Sequence, residues 1–252
     1  MKLRLPCMQC FQELGRPTDE MLPVELRDDG LYEATCERGH TTVTAIQEQK
    51  YEVLFDLAAM ALLDGYPREA IASMAAALER FYEFYVFVLS LEHKVDPNAF
   101  AATWKLVDNQ SERQFGAYLF ASLLYSPNTV PKVIEEEQPL LPGIAKGQTR
   151  TWRSFRNAVV HKGYMPSTAE CLVYGDLVYR HITELTLELK RSCAESLQRA
   201  NFAHLSKAHG GGKSVSTMSI PTLLSFVREE RPASLAEALK ELEKYRTWLH
   251  HK

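Results

Sequence analysis

Two groups of residues in this chain have the types and spacing that chemistry needs. The first is Cys7-x2-Cys10 with Cys36-x3-His40, two close ligand pairs 25 residues apart. Each pair suits one tight knuckle, and Gly39 relaxes the second. Three thiolates and one imidazole complete a tetrahedral zinc site with no open position, so the expected ion is structural. A core that small cannot fold on hydrophobic burial alone, which couples metal binding to folding. The two remaining cysteines, Cys171 and Cys193, fall in a helical stretch and read as ordinary core thiols.

The second group is Arg156-Asn157-Ala158-Val159-Val160-His161-Lys162-Gly163. A permanent cation, an amide and a titratable imidazole serve phosphodiester chemistry when no metal takes part. The Arg-x4-His spacing alone says little. With 16 Arg and 8 His, chance gives about half a match, and the chain has three: Arg156/His161, Arg199/His204 and Arg246/His251. Only the first has an amide directly after the Arg, an amphipathic helix beneath it and a Gly stop. At 100° per residue, Arg156 and His161 stand 140° apart around a helix, whereas Arg153, Asn157 and His161 form one stripe. A straight helix therefore aims Arg156 and His161 poorly at one phosphate, and a two-fold dimer or an unwound helix end would correct this. Arg153 is a rival phosphate ligand, and Lys162 is a further candidate for substrate binding.

Around these groups the elements read as follows. Short strands are expected at 22–27 and 31–36, as a hairpin about Asp28-Asp29-Gly30, and a third at 41–46. From Gln49 the pattern is helical: 51–63, then 68–94 behind Pro67, with apolar residues recurring at three and four. The aromatics Phe81, Tyr82, Phe84, Tyr85 and Phe87 nearly circle that second helix, as in a buried central helix or a dimer contact. Shorter helices follow at 99–107 and 112–125, then an irregular connection with Glu135-Glu136-Glu137 at 126–148. The motif helix spans 149–162. Ser167 and Glu170 form a capping box for a long helix, 168–202. A flexible linker, 207–217, carries Gly210-Gly211-Gly212. Helices 220–230 and 234–250 close the chain. Gly210–Ser214 is no phosphate loop, because Lys207 stands where that motif needs Gly.

The first 46 residues resemble a zinc ribbon. Ser154–Gly163 resembles the signature of HEPN domains, which are α-helical bundles, and the resemblance covers about residues 50–205. The expected architecture is mainly α: a small β zinc ribbon (1–47), a HEPN-like bundle (48–205), then a glycine linker and two further helices (206–252). Many HEPN proteins are metal-independent endoribonucleases whose motif helices face each other in a homodimer. Others bind nucleotides or are inactive. The resemblance implies a site at Arg156, Asn157 and His161 and no catalytic cofactor, with RNA as substrate and a toxin or antiviral-defence role. His161 would exchange the proton of the attacking 2′-hydroxyl, Arg156 would stabilise the phosphorane, and Asn157 would orient His161 or the phosphate. The alternatives are a non-catalytic nucleotide- or RNA-binding module, an adaptor that meets a protein through the ribbon or the C-terminal helices, or a structural helix end in which Arg156 pairs with an acid such as Glu79 or Glu83 and His161 caps.

Composition sets outer bounds. Of 252 residues, 46% are hydrophobic and 24% charged, as in ordinary globular proteins, and the net charge of -3 argues against a broadly basic surface for bulk nucleic acid. No apolar run approaches the ~18–20 residues of a membrane span, and Met1–Cys7 lacks a signal-peptide core. Five cysteines fit a reducing compartment, so the expected location is the cytoplasm.

Overall fold

The computed structural model describes residues 2–16, 18, 20–134, 151–208, 214–225 and 230–250. From the N-terminus the elements are β1 (Lys2–Pro6), α1 (Met8–Leu14), β2 (Met21–Glu25), β3 (Leu31–Thr35), β4 (Thr41–Ile46), α2 (Lys50–Leu63), α3 (Pro67–Glu92), α4 (Pro97–Trp104) and α5 (Ser111–Tyr125). They continue with α6 (Trp152–His161), α7 (Thr168–Ser192), α8 (Ala194–Ala203), β5 (Val215–Met218) and α9 (Leu235–His250). The protein is mainly helical with a small N-terminal β region. No helix among the described residues is long and apolar enough to cross a membrane.

The chain forms two compact units, Met1–Gln49 with Asn201–Pro221 and Trp248–Lys252, and Lys50–Ala200 with Thr222–Thr247. In the first, β1 pairs antiparallel with β2, and β3 pairs antiparallel with β4. The expected turn at 28–30 is present: Asp29 accepts the Leu31 N–H and grips the Arg27 guanidinium, and Gly30 takes a left-handed φ of 66°. The strands on its two sides do not form the expected hairpin, because each pairs with an outer strand instead. β1 and α1 were not anticipated. Nor was β5, which adds parallel to β4 and begins inside the stretch expected as linker. Gly210–Gly212 and His209 lie outside the described residues.

In the second unit α3 is the central helix. It packs against α2, α4, α5, α6 and α7. Phe81, Tyr82, Phe84 and Tyr85 are all buried, so the aromatic ring around this helix builds the core. Tyr82 stacks on Tyr118 of α5 with centroids 4.3 Å apart, and its hydroxyl bonds Nε2 of the buried His181 at 3.2 Å. Each such aromatic contributes ~1.5–3 kcal/mol by leaving water. Cys171 and Cys193 are buried thiols, as expected.

The long helix expected at 168–202 divides at Cys193, whose φ of -135° and ψ of 37° leave the helical region. There the buried Cys193 Sγ meets the Tyr125 hydroxyl at 3.1 Å, and α8 starts afresh. The helix expected at 220–230 is absent over 220–225. Ile220 gives its N–H to Glu48 and Leu223 gives its N–H to Asp56 of α2, so these backbone donors are spent on side chains rather than on a helix ladder. Residues 226–229 lie outside the described residues. α9 forms as expected, with Asp176 taking the Leu235 N–H at its start and Asp64 pairing with Arg246 near its end.

Candidate metal centre and motif helix

The four N-terminal ligand residues converge. Cys7 precedes α1 and Cys10 lies in its first turn; the Phe11 N–H to Cys7 carbonyl bond closes that knuckle at 3.0 Å. Cys36 and His40 flank the turn between β3 and β4. There Gly39, at φ 81°, gives its N–H to the Cys36 carbonyl while Cys36 gives its own to His40. The three thiol sulfurs and a His40 ring nitrogen lie within 4.8 Å of one another and are not joined by a disulfide, a group that can hold a metal ion. Cys10 Sγ is 3.9 Å from Cys36 Sγ and 3.3 Å from His40 Nδ1, and Cys7 Sγ is 3.9 Å from the same nitrogen. A zinc tetrahedron with Zn–S ≈ 2.3 Å and Zn–N ≈ 2.0–2.1 Å has edges of about 3.8 and 3.6 Å, which these separations match. Burial, then contacts with the Cys7 and Cys36 thiols, pushes the Cys10 thiol up to about 11, while the Arg38 N–H pulls it down.

Two neighbours that the sequence reading did not single out touch this group. Glu13 Oε1 lies 3.5 Å from His40 Nε2, and Glu13 Oε2 lies 2.8 Å from Arg38 Nη2. Arg38 Nη1 donates to Cys10 Sγ at 3.4 Å. The signal was present in the spacing: Cys10 and Glu13, three apart, share a helical face, and Arg38 sits inside the second ligand knuckle.

The motif helix is α6. Thr151 caps it by accepting the Ser154 N–H, and residues 149–150 lie outside the described residues. Its far end is the sharp stop that the sequence implies: Gly163 has φ 69°, and both Lys162 and Tyr164 bond the Ala158 carbonyl. Trp152, Phe155, Ala158 and Val159 are buried against the core. His161 is exposed in the last turn, and Lys162 is exposed beside it.

Arg156 points the other way. Its side chain is only 14% exposed, and Nη1 lies 3.4 Å from both Glu79 Oε1 of α3 and Ser111 Oγ of α5. Burial raises the Glu79 carboxyl above its usual range, while the charges of Arg156, Arg80 and His161 pull it down. Arg153 lies over the Phe115 ring, 5.5 Å from its centroid. Arg153 and Arg156 together line a cavity of about 130 Å³ whose other polar walls are Glu79, Ser111 and Glu112. Its apolar side includes Tyr82, Phe115 and Trp152. His161, Asn157 and Lys162 are not among the residues that line it. Asn157 Oδ1 is buried and accepts no hydrogen bond among the described residues.

One member of each other Arg-x4-His pair has a structural contact. His204 binds the Ile46 carbonyl and Gln49, and Arg246 holds Asp64. Glu135–Glu137 and His251 lie outside the described residues. Comparison with family models, with curated proteins and with solved structures gave no match.

Proposed function

We propose that the Cys7, Cys10, Cys36 and His40 group holds a structural zinc ion in a ribbon-like module, and that the helical unit is a HEPN-like bundle acting on RNA at α6. The zinc reading rests on the sulfur and nitrogen separations, which match a closed tetrahedral site and leave no ligand position for substrate. The ion would supply fold stability to residues 1–49, not chemistry.

The RNA reading rests on one observation: two guanidinium groups line one cavity in the helix whose end carries an exposed imidazole. Arg156 and Arg153 offer planar donor forks to a phosphate. His161, in the last helical turn, exchanges the proton of an attacking 2′-hydroxyl. The 140° between Arg156 and His161 calls for a second chain to complete the site, so the active form is a homodimer. A toxin or defence role would follow from such cleavage. The test is RNA cleavage in the presence of EDTA by the intact chain and by His161→Ala and Arg156→Ala. Both substitutions should abolish it, and cleavage that survives both refutes the assignment.

The Arg156–Glu79 pair favours a second reading, a non-catalytic module that binds a nucleotide or an RNA phosphate. An Arg already held by a carboxylate binds an anion by exchange, with no need to cleave it. RNA binding that is weakened by Arg156→Ala, with no cleavage by the intact chain, selects this reading.

A further inference from the structure

Glu13 and Arg38 connect two of the four ligands by an outer route. From His40 Nε2 the path runs to Glu13 Oε1 at 3.5 Å, from Glu13 Oε2 to Arg38 Nη2 at 2.8 Å, and from Arg38 Nη1 to Cys10 Sγ at 3.4 Å. Cys10 Sγ and His40 Nδ1 are themselves 3.3 Å apart, so a metal between them closes a ring. We propose that Glu13 is the positioning residue of the metal centre, holding His40 in the tautomer that presents Nδ1 to the metal, and that Arg38 locks Glu13 in place while donating to the Cys10 thiolate. This rests on the zinc reading above.

The chemistry selects these roles. A neutral imidazole that binds metal through Nδ1 must carry its proton on Nε2, and a carboxylate oxygen 3.5 Å from Nε2 favours that tautomer electrostatically. Three thiolates around a divalent cation leave one net negative charge, which an Arg N–H at a sulfur offsets. Glu13 reaches both partners because it follows Cys10 by three residues on α1, whose helix ends at Gly15, φ 66°. Arg38 reaches back because Gly39 turns the chain between Cys36 and His40. The side chains of Glu13 and Arg38 are 38% and 50% exposed, so solvent screens their pairing. Outer partners of metal ligands typically set about 10–100-fold in affinity, and this exposure places the effect near the lower figure.

The test uses the full chain with its metal stripped and Zn²⁺ returned in competition with a chromophoric chelator; Co²⁺ absorption reports ligand geometry. Glu13→Ala should weaken Zn²⁺ binding about tenfold. Arg38→Ala should weaken it less, and the double variant should lose less than the two single losses combined, because Arg38 acts in part through Glu13. Nitrogen NMR of the Zn²⁺-loaded chain should show His40 protonated at Nε2. Glu13→Gln, which keeps an acceptor oxygen, guards against a folding defect and should retain part of the affinity. Glu13→Ala binding within twofold of the unaltered chain, additive losses in the double variant, or metal on His40 Nε2 each overturns the inference while leaving the zinc reading intact. An unaltered chain that binds neither ion overturns both.

Discussion

Two glycines sit inside helices of the second unit, and they should respond to the same substitution with opposite signs. Gly in a helix interior costs about 1 kcal/mol relative to Ala, so on propensity alone Gly→Ala stabilises either helix by that amount. At Gly116 of α5 an added Cβ meets nothing within 4 Å. Gly116→Ala should therefore gain up to about 1 kcal/mol. At Gly175 of α7 the same carbon would lie 2.6 Å from Leu235 Cδ2, 2.7 Å from Met74 Cε and 2.9 Å from Met74 Sδ. Those atoms are ends of flexible side chains, but Met74 and Leu235 are fully buried, and a close-packed core gives them no vacant space to enter. Overpacking of this kind costs about 1–3 kcal/mol, so taking ~2 against the ~1 gained leaves Gly175→Ala about 1 kcal/mol less stable than the original. The two variants should then differ by about 2 kcal/mol. Urea unfolding followed by circular dichroism at fixed metal and pH reads this directly. Equal stabilisation by both would refute the claim that the Met74 and Leu235 side chains fill the space beside Gly175.

Three further outcomes are expected. His181 is held by burial at about 4, below its ordinary 6.5, so the folded chain keeps it neutral while the unfolded chain takes a proton. Its contribution is therefore intact above pH 6.5 and lost as pH falls toward 4, which amounts to about 2 kcal/mol between pH 7 and 5 and about 3.4 kcal/mol in full. His181→Gln should remove that slope, and parallel pH–stability curves for the two proteins would contradict the burial argument. Ser167 accepts the Glu170 N–H while Glu170 takes the Ser167 N–H at 2.7 Å, so Ser167→Ala should cost about 1 kcal/mol in the same urea unfolding. Stripping the metal with a strong chelator should open residues 1–49 to protease while the helical unit keeps its circular dichroism, and protection of both units after metal removal would count against a folding role for the ion.

The parts legible in the sequence are those decided by covalent neighbours. Cys7-x2-Cys10 and Cys36-x3-His40 are knuckles closed by backbone bonds over three or four residues, so spacing alone placed each pair. The stop of α6 at Gly163 and the Ser167–Glu170 box are equally local. Proline at the first position of α3 and its aromatic period likewise marked a buried helix before any partner was known. What spacing could not supply was the identity of distant partners. β-Branched residues mark β4 as a strand but do not name β5, far along the chain, as its parallel neighbour. Cys193, where the helix breaks, meets Tyr125, and Leu223, where no helix forms, gives its N–H to Asp56 of α2. The same holds at the candidate site. Residue types placed Arg156 and His161 on one short helix, and helix geometry already separated them by 140°. That Arg156 turns inward to Glu79 and Ser111, while His161 stays in solvent, was settled by α3 and α5, because burying a guanidinium requires an acceptor that only packing can bring.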